Sequence, residues 1–123
     1  MAAGSFTGKC VDRYNQAVIK HNSKIEQALL SLKRKLDIKT TYVDLYRVPV
    51  DVVYNPNKYG FTESSRGCCG TGTFEGAILC NPLSPICSNV SKYIFWDAVH
   101  PTEKFYKILA DQTMESLSNE FFM

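Results

Sequence analysis

The sequence predicts an α/β fold of which these residues form one part. Three observations lead there: a long amphipathic helical stripe near the start, a strand-like run that follows it after a short connection, and a second amphipathic helix opened by a proline near the end. A helix, a short loop and a strand make one unit of a parallel sheet, and the last helix gives that sheet a cover.

The first helix is read over residues 11–36. Val11, Tyr14, Val18, Ile25, Leu29, Leu32 and Leu36 recur mostly at steps of three, four or seven, which draws one stripe along about seven turns. Asp12, Arg13, Lys20, Lys24, Glu26, Lys33 and Arg34 take the other face. His21, beside the stripe, is expected to be a partly buried packing residue rather than a ligand. The basic run Lys33-Arg34-Lys35 falls at the helix end, where cations complement the helix dipole. It reads as a solvated face.

Asp37-Ile38-Lys39 is a short connection, and Thr40-Thr41-Tyr42-Val43-Asp44-Leu45-Tyr46 is rich in the β-branched and aromatic residues of a strand. Pro49 can begin a short helix over residues 50–55, since its missing N–H costs nothing in a first turn, and Pro56 is expected to end it. Residues 57–93 are dense in Gly, Pro, Ser and Cys and show no period. They read as a long loop with short strands near Ala77-Ile78-Leu79. Pro101-Thr102-Glu103 opens the last helix, with Phe105, Ile108, Leu109, Met114 and Leu117 on or near one face. The tail Phe121-Phe122-Met123 either docks or frays.

One strand cannot make a sheet, and a loop of that length is unusual inside a compact domain. The chain is therefore expected to be a piece of a single larger α/β domain rather than a domain by itself.

Composition excludes several classes. With 123 residues, 45% hydrophobic and 21% charged, the chain is neither disordered nor fibrous. Its net charge of +2, with acids and bases interspersed, leaves no nucleic-acid footprint. No apolar run is long enough for a membrane span. Met1-Ala-Ala-Gly-Ser-Phe is not a secretion leader, so translation from Met1 would leave the chain in the cytoplasm.

The cysteines argue the other way. Five occur, four of them between Cys68 and Cys87, a density that cytosolic proteins seldom show without a metal or redox task. The odd count leaves one thiol over, expected to be Cys10. Zinc held by Cys68, Cys69, Cys80 and Cys87 is the weaker alternative, because two adjacent cysteines followed by wide gaps do not resemble paired zinc knuckles. Two disulfides joining Cys68 and Cys69 to Cys80 and Cys87 are expected, in an order that the sequence leaves open. No metal and no cofactor is called for. The glycine run Gly70-Thr71-Gly72-Thr73-Phe74-Glu75-Gly76 has neither the dinucleotide spacing nor the lysine of a phosphate loop. Asn89-Val90-Ser91 is an N-glycosylation sequon in a polar loop. It is an acceptor in the secretory pathway and an unmodified asparagine otherwise; without a leader the second state is expected.

Chemistry concentrates in Phe95-Trp96-Asp97-Ala98-Val99-His100-Pro101-Thr102-Glu103-Lys104. A histidine acting as general base needs its other ring nitrogen held by a carboxylate, which fixes the tautomer and stabilises the imidazolium. Asp97 and His100, three apart on a tight loop, can supply both groups, and Pro101 stiffens the exit. Spacing alone is weak, since a loop acid and a pre-helix histidine with no reaction to serve look the same.

Residues 96–104 are similar to the last block of the plant GDSL esterases/lipases, a branch of the SGNH hydrolases. Arg66-Gly67-Cys68-Cys69-Gly70-Thr71-Gly72 and Leu79-Cys80-Asn81-Pro82 resemble that family's cysteine loop. Tyr42-Val43-Asp44-Leu45-Tyr46, Asn55-Pro56-Asn57-Lys58-Tyr59-Gly60-Phe61 and Cys10-Val11-Asp12-Arg13-Tyr14-Asn15 leading into Asn22-Ser23-Lys24 look like further family segments. The resemblance runs through nearly the whole chain in order. It implies the closing part of a three-layer α/β/α sandwich of the SGNH, flavodoxin-like type. It also implies Asp97 and His100 as the acid–base members of a Ser-His-Asp triad, lipid or acyl esters as substrates of the full-length parent, and a secreted parent; no other partner is identified from the sequence.

The departures matter as much. No Gly-Asp-Ser-Leu block and no oxyanion glycine or asparagine block occurs in these 123 residues. Ser5, in Ala-Gly-Ser-Phe, does not fit the nucleophile motif and reads as a loop serine. Losing the nucleophile costs turnover on the order of a million-fold, so the chain alone is expected to lack esterase activity. The alternative is a non-catalytic pseudoenzyme or interaction protein built on the same scaffold.

Overall fold

The computed structural model describes residues 11–74, 76 and 79–121. Among the described residues there are three α-helices: α1 (Asp12–Leu36), α2 (Arg47–Tyr54) and α3 (Glu103–Phe121). Two short strands, β1 (Glu63–Gly67) and β2 (Tyr93–Phe95), pair in parallel. The class is α/β as expected, with a two-stranded sheet among the described residues.

The α1 helix follows its predicted span. Asp12 lies in its first turn and Lys33, Arg34 and Lys35 in its last, the charge order that a helix dipole favours. It stops at Asp37, which takes the left-handed conformation with φ 49°. Aspartate tolerates that region better than most residues because its short side chain bonds locally. The stripe, however, is uncovered: no α1 residue is buried, and Tyr14, Val18, Ile25, Leu32 and Leu36 are exposed. His21 is exposed too, which corrects the expectation of a packing residue: among the described residues no other element packs on the face beside it closely enough to enclose a ring.

Residues 40–46 are not a strand, a second correction. They pair with nothing among the described residues, and strand composition has no effect without a neighbouring backbone. Asp44 instead starts α2: its Oδ1 accepts the N–H groups of Tyr46 at 2.8 Å and Arg47 at 2.9 Å. The helix thus begins earlier than predicted, and Pro49 sits third in its first turn, where an N–H would be unsatisfied anyway. The α2 helix ends at Tyr54, just ahead of Pro56 as expected, and Pro56 opens a separate 3-10 turn, Pro56–Tyr59, which closes at Gly60 with φ 74°.

The strands lie where only loop was expected. β1 reads Glu-Ser-Ser-Arg-Gly and is mostly polar, so neither composition nor alternation marks it. Its register, Glu63 opposite Tyr93 and Gly67 opposite Phe95, is continued by Cys68 N–H to Phe95 O at 3.0 Å and Cys69 N–H to Trp96 O at 2.8 Å. Of the strand expected near residues 77–79, Ala77 and Ile78 lie outside the described residues, and Leu79 is exposed and belongs to a 3-10 turn, its N–H bonding Gly76 O at 3.1 Å.

A small core holds the sheet between helices. Val52 of α2, Phe61, Ile94 of β2 and Phe105 of α3 are buried together, with Val48, Tyr59, Ile108 and Leu109 packed around them. Each such side chain contributes about 1.5–3 kcal/mol on burial. The α3 helix starts where predicted and delivers Phe105, Ile108 and Leu109 to this core.

Candidate active site

The segment after β2 folds back on itself. Trp96 N–H reaches His100 O at 2.8 Å, and Phe95 bridges Pro101. Thr102 fixes the exit: its N–H bonds Ile94 O at 2.8 Å, its hydroxyl bonds Tyr93 O at 2.9 Å, and the residue is buried. A closed loop, residues 96–101, therefore stands between β2 and α3 with both ends tied.

Asp97 organises that loop from inside. It is 2% exposed. Its Oδ1 accepts N–H groups from Val99 at 2.7 Å and His100 at 2.6 Å, and its Oδ2 lies 2.8 Å from His100 Nδ1. A buried carboxylate is costly unless its lone pairs are used, and here both oxygens are. The His100 side chain is 52% exposed. With Nδ1–H donating to Asp97, the neutral ring carries its lone pair on Nε2, the nitrogen available to take a proton. The two residues singled out in the sequence are brought together as an aspartate–histidine pair.

The cysteine loop lies directly against this pair. Cys68 bonds Cys87 and Cys69 bonds Cys80, which supplies the order that the sequence left open. Backbone bonds tighten the loop: Cys87 N–H to Cys68 O at 2.9 Å, Gly70 N–H to Pro85 O at 2.8 Å and Gly67 N–H to Gly72 O at 2.8 Å. Gly67 is the point of contact. A β-carbon there would stand 2.7 Å from the Asp97 carbonyl carbon, closer than atoms pack. The glycine lets the disulfide-clamped backbone press against the backbone of Asp97. Cys10 and Ser5 lie outside the described residues. Asn89 is exposed in the turn before β2.

Lys104, inside the sequence block but without an assigned role, is a further support. From the first turn of α3 its Nζ donates to Gly60 O at 2.8 Å and Ser91 O at 3.3 Å, and it lies 4.3 Å from the centre of the Phe61 ring. Burial, followed by the nearby charge of Lys92, lowers its pKa. A second cluster ties α2 to the turn after it: Asp51 accepts from Asn55 at 2.7 Å, from Lys58 at 2.8 Å and from the Tyr59 hydroxyl. Those bonds, led by Lys58, hold the Asp51 carboxyl down to about 2. Neither cluster has a periodic signature; the run Asn55-Pro56-Asn57-Lys58-Tyr59-Gly60-Phe61 is its only trace in the sequence.

The sequence pattern of the family described as GDSL-like Lipase/Acylhydrolase matches residues 2–113. The chain belongs to the GDSL lipase/acylhydrolase family. Among curated GDSL relatives of Arabidopsis thaliana, it is 44% identical over 114 residues to GDSL esterase/lipase At5g45950, covering 93% of this chain and 32% of that protein. It is 43% identical over 120 residues to GDSL esterase/lipase EXL3, 96% of this chain and 33% of the relative. It is 45% identical over 115 residues to GDSL esterase/lipase EXL2, 92% and 30% respectively. The chain thus spans about a third of the length of the curated GDSL proteins it matches. No solved structure matches it.

Proposed function

We propose that this chain carries the acid–base part of a serine ester hydrolase, with His100 as general base and Asp97 as its orienting partner. The observation that supports it most directly is the 2.8 Å contact between Asp97 Oδ2 and His100 Nδ1, formed by a buried carboxylate and a ring half open to solvent. GDSL family membership supplies the class of reaction. The nucleophilic serine and the oxyanion donors belong to the remaining two thirds of a full-length protein of this type, and the whole is a three-layer α/β/α sandwich acting outside the cell on lipid or acyl esters.

In that setting His100 Nε2 removes the proton as the serine oxygen attacks the ester carbonyl. The Asp97 carboxylate stabilises the resulting imidazolium, which then protonates the leaving alcohol. Water repeats the cycle on the acyl group. The chain by itself provides the base and not the attacking oxygen, so a short acyl ester incubated with the purified chain is expected to hydrolyse no faster than in buffer.

The role of the pair is testable in a chimera in which these residues replace the equivalent third of GDSL esterase/lipase EXL3. Turnover of a short acyl ester by the chimera is expected to fall on the order of a million-fold in His100→Ala and on the order of ten-thousand-fold in Asp97→Asn. A folded His100→Ala chimera that turns over normally rejects the assignment.

A further inference from the structure

We propose that Asn89 is an N-glycosylation acceptor, a modification that does not depend on the hydrolase reading. Asn89-Val90-Ser91 is the one tripeptide of acceptor type in the sequence. The fold leaves its acceptor atom open. Asn89 is exposed and extended, with φ −146° and ψ 92°, at the head of the 3-10 turn Val90–Lys92. Its backbone carbonyl accepts Lys92 N–H at 3.1 Å, and its Oδ1 accepts the Ser91 hydroxyl at 2.7 Å. The amide oxygen is thus turned into the sequon, and Nδ2 has no protein partner among the described residues. A sugar on Nδ2 breaks no hydrogen bond of the fold.

The surroundings give the sugar room. Ser88, Val90, Ser91 and Lys92 are all exposed. The turn is anchored from its far side, where Ser91 O accepts Lys104 Nζ, so the load falls on a fixed support.

An independent observation places the chemistry in the right compartment. The disulfides Cys68–Cys87 and Cys69–Cys80 need an oxidising environment, and Cys87 stands just ahead of the sequon. In secretory cells that environment is shared by the glycosyl donor, an oligosaccharide on a polyprenyl diphosphate. In the transfer, a bond forms between Asn89 Nδ2 and the anomeric carbon of the first sugar. The bond from that carbon to the diphosphate oxygen breaks, polyprenyl diphosphate leaves with the electron pair, and Nδ2 gives up one proton.

The test is expression of the full 123-residue chain behind a cleavable secretion leader in eukaryotic cells, reading intact mass in lysate and medium before and after peptide N-glycosidase treatment. Expected is a leader-cleaved chain heavier by one core oligosaccharide, returned to the bare mass by the enzyme. The increment is expected to vanish in Asn89→Gln and in Ser91→Ala and to persist in Ser91→Thr. Because the readout is mass in total lysate, a variant that folds poorly still reports. A leader-cleaved wild-type chain at its bare mass overturns the proposal, as does a sugar increment that survives Asn89→Gln.

Discussion

Gly67 and Asp97 meet backbone to backbone: a β-carbon on Gly67 would fall within 2.8 Å of the Asp97 Cα and carbonyl oxygen as well as its carbonyl carbon. Gly67→Ala is therefore expected to push the Asp97 loop away or to strain β1, at a cost of about 1–3 kcal/mol. Thermal melting followed by circular dichroism measures the loss. An alanine variant that melts with the parent would show that the contact is looser than the geometry states.

Removing Asp97 is expected to cost more than removing His100. Asp97→Ala removes the charged acceptor of the Val99 and His100 N–H groups, worth about 1.5–3 kcal/mol for each hydrogen bond to a charged group. His100→Ala deletes a ring that is half in water and leaves the backbone bonds intact. Denaturant unfolding of the two variants side by side checks the ranking.

The disulfides give a sharp chemical test. Reduction of the intact chain is expected to add four hydrogens for the two bonds, and peptide mapping to join Cys68 with Cys87 and Cys69 with Cys80. Opening either loop by paired Cys→Ser changes should lower stability by about 3 kcal/mol. Recovery of peptides joining Cys68 to Cys80 would refute the pairing.

The Asp51 cluster sets an acid limit. A carboxyl whose pKa is lowered by folding stabilises fully above its unfolded value of 3.8 and ceases to as the pH drops through about 2. Stability is thus expected to decline in that acid window, and less so in Asp51→Asn, which cannot titrate. Carboxyl chemical shifts recorded against pH would locate the midpoint; an Asp51 midpoint near 3.8 would contradict the bonds from Lys58, Tyr59 and Asn55.

What could be read in the sequence was whatever local order decides. The helices α1 and α3 follow from periodicity, and Asp97 with His100 from spacing reinforced by a collinear family resemblance. What stayed hidden depends on distant partners. Residues 40–46 have the composition of a strand and pair with nothing described, whereas Glu63 to Gly67 have a turn-like composition and pair with β2 because the crossover brings Tyr93 alongside. The disulfide order was invisible for the same reason: it is set by which cysteine backbones the crossover sets side by side. Lys104 was in view, but its bonds to carbonyls 44 and 13 residues away were not.

The Asp97 carboxylate splits its duties between its two oxygens, one committed to the peptide chain and one to the imidazole. The backbone bonds fix the carboxylate independently of the imidazole, so the ring has a preset anchor and the loop beneath it does not owe its shape to the ring.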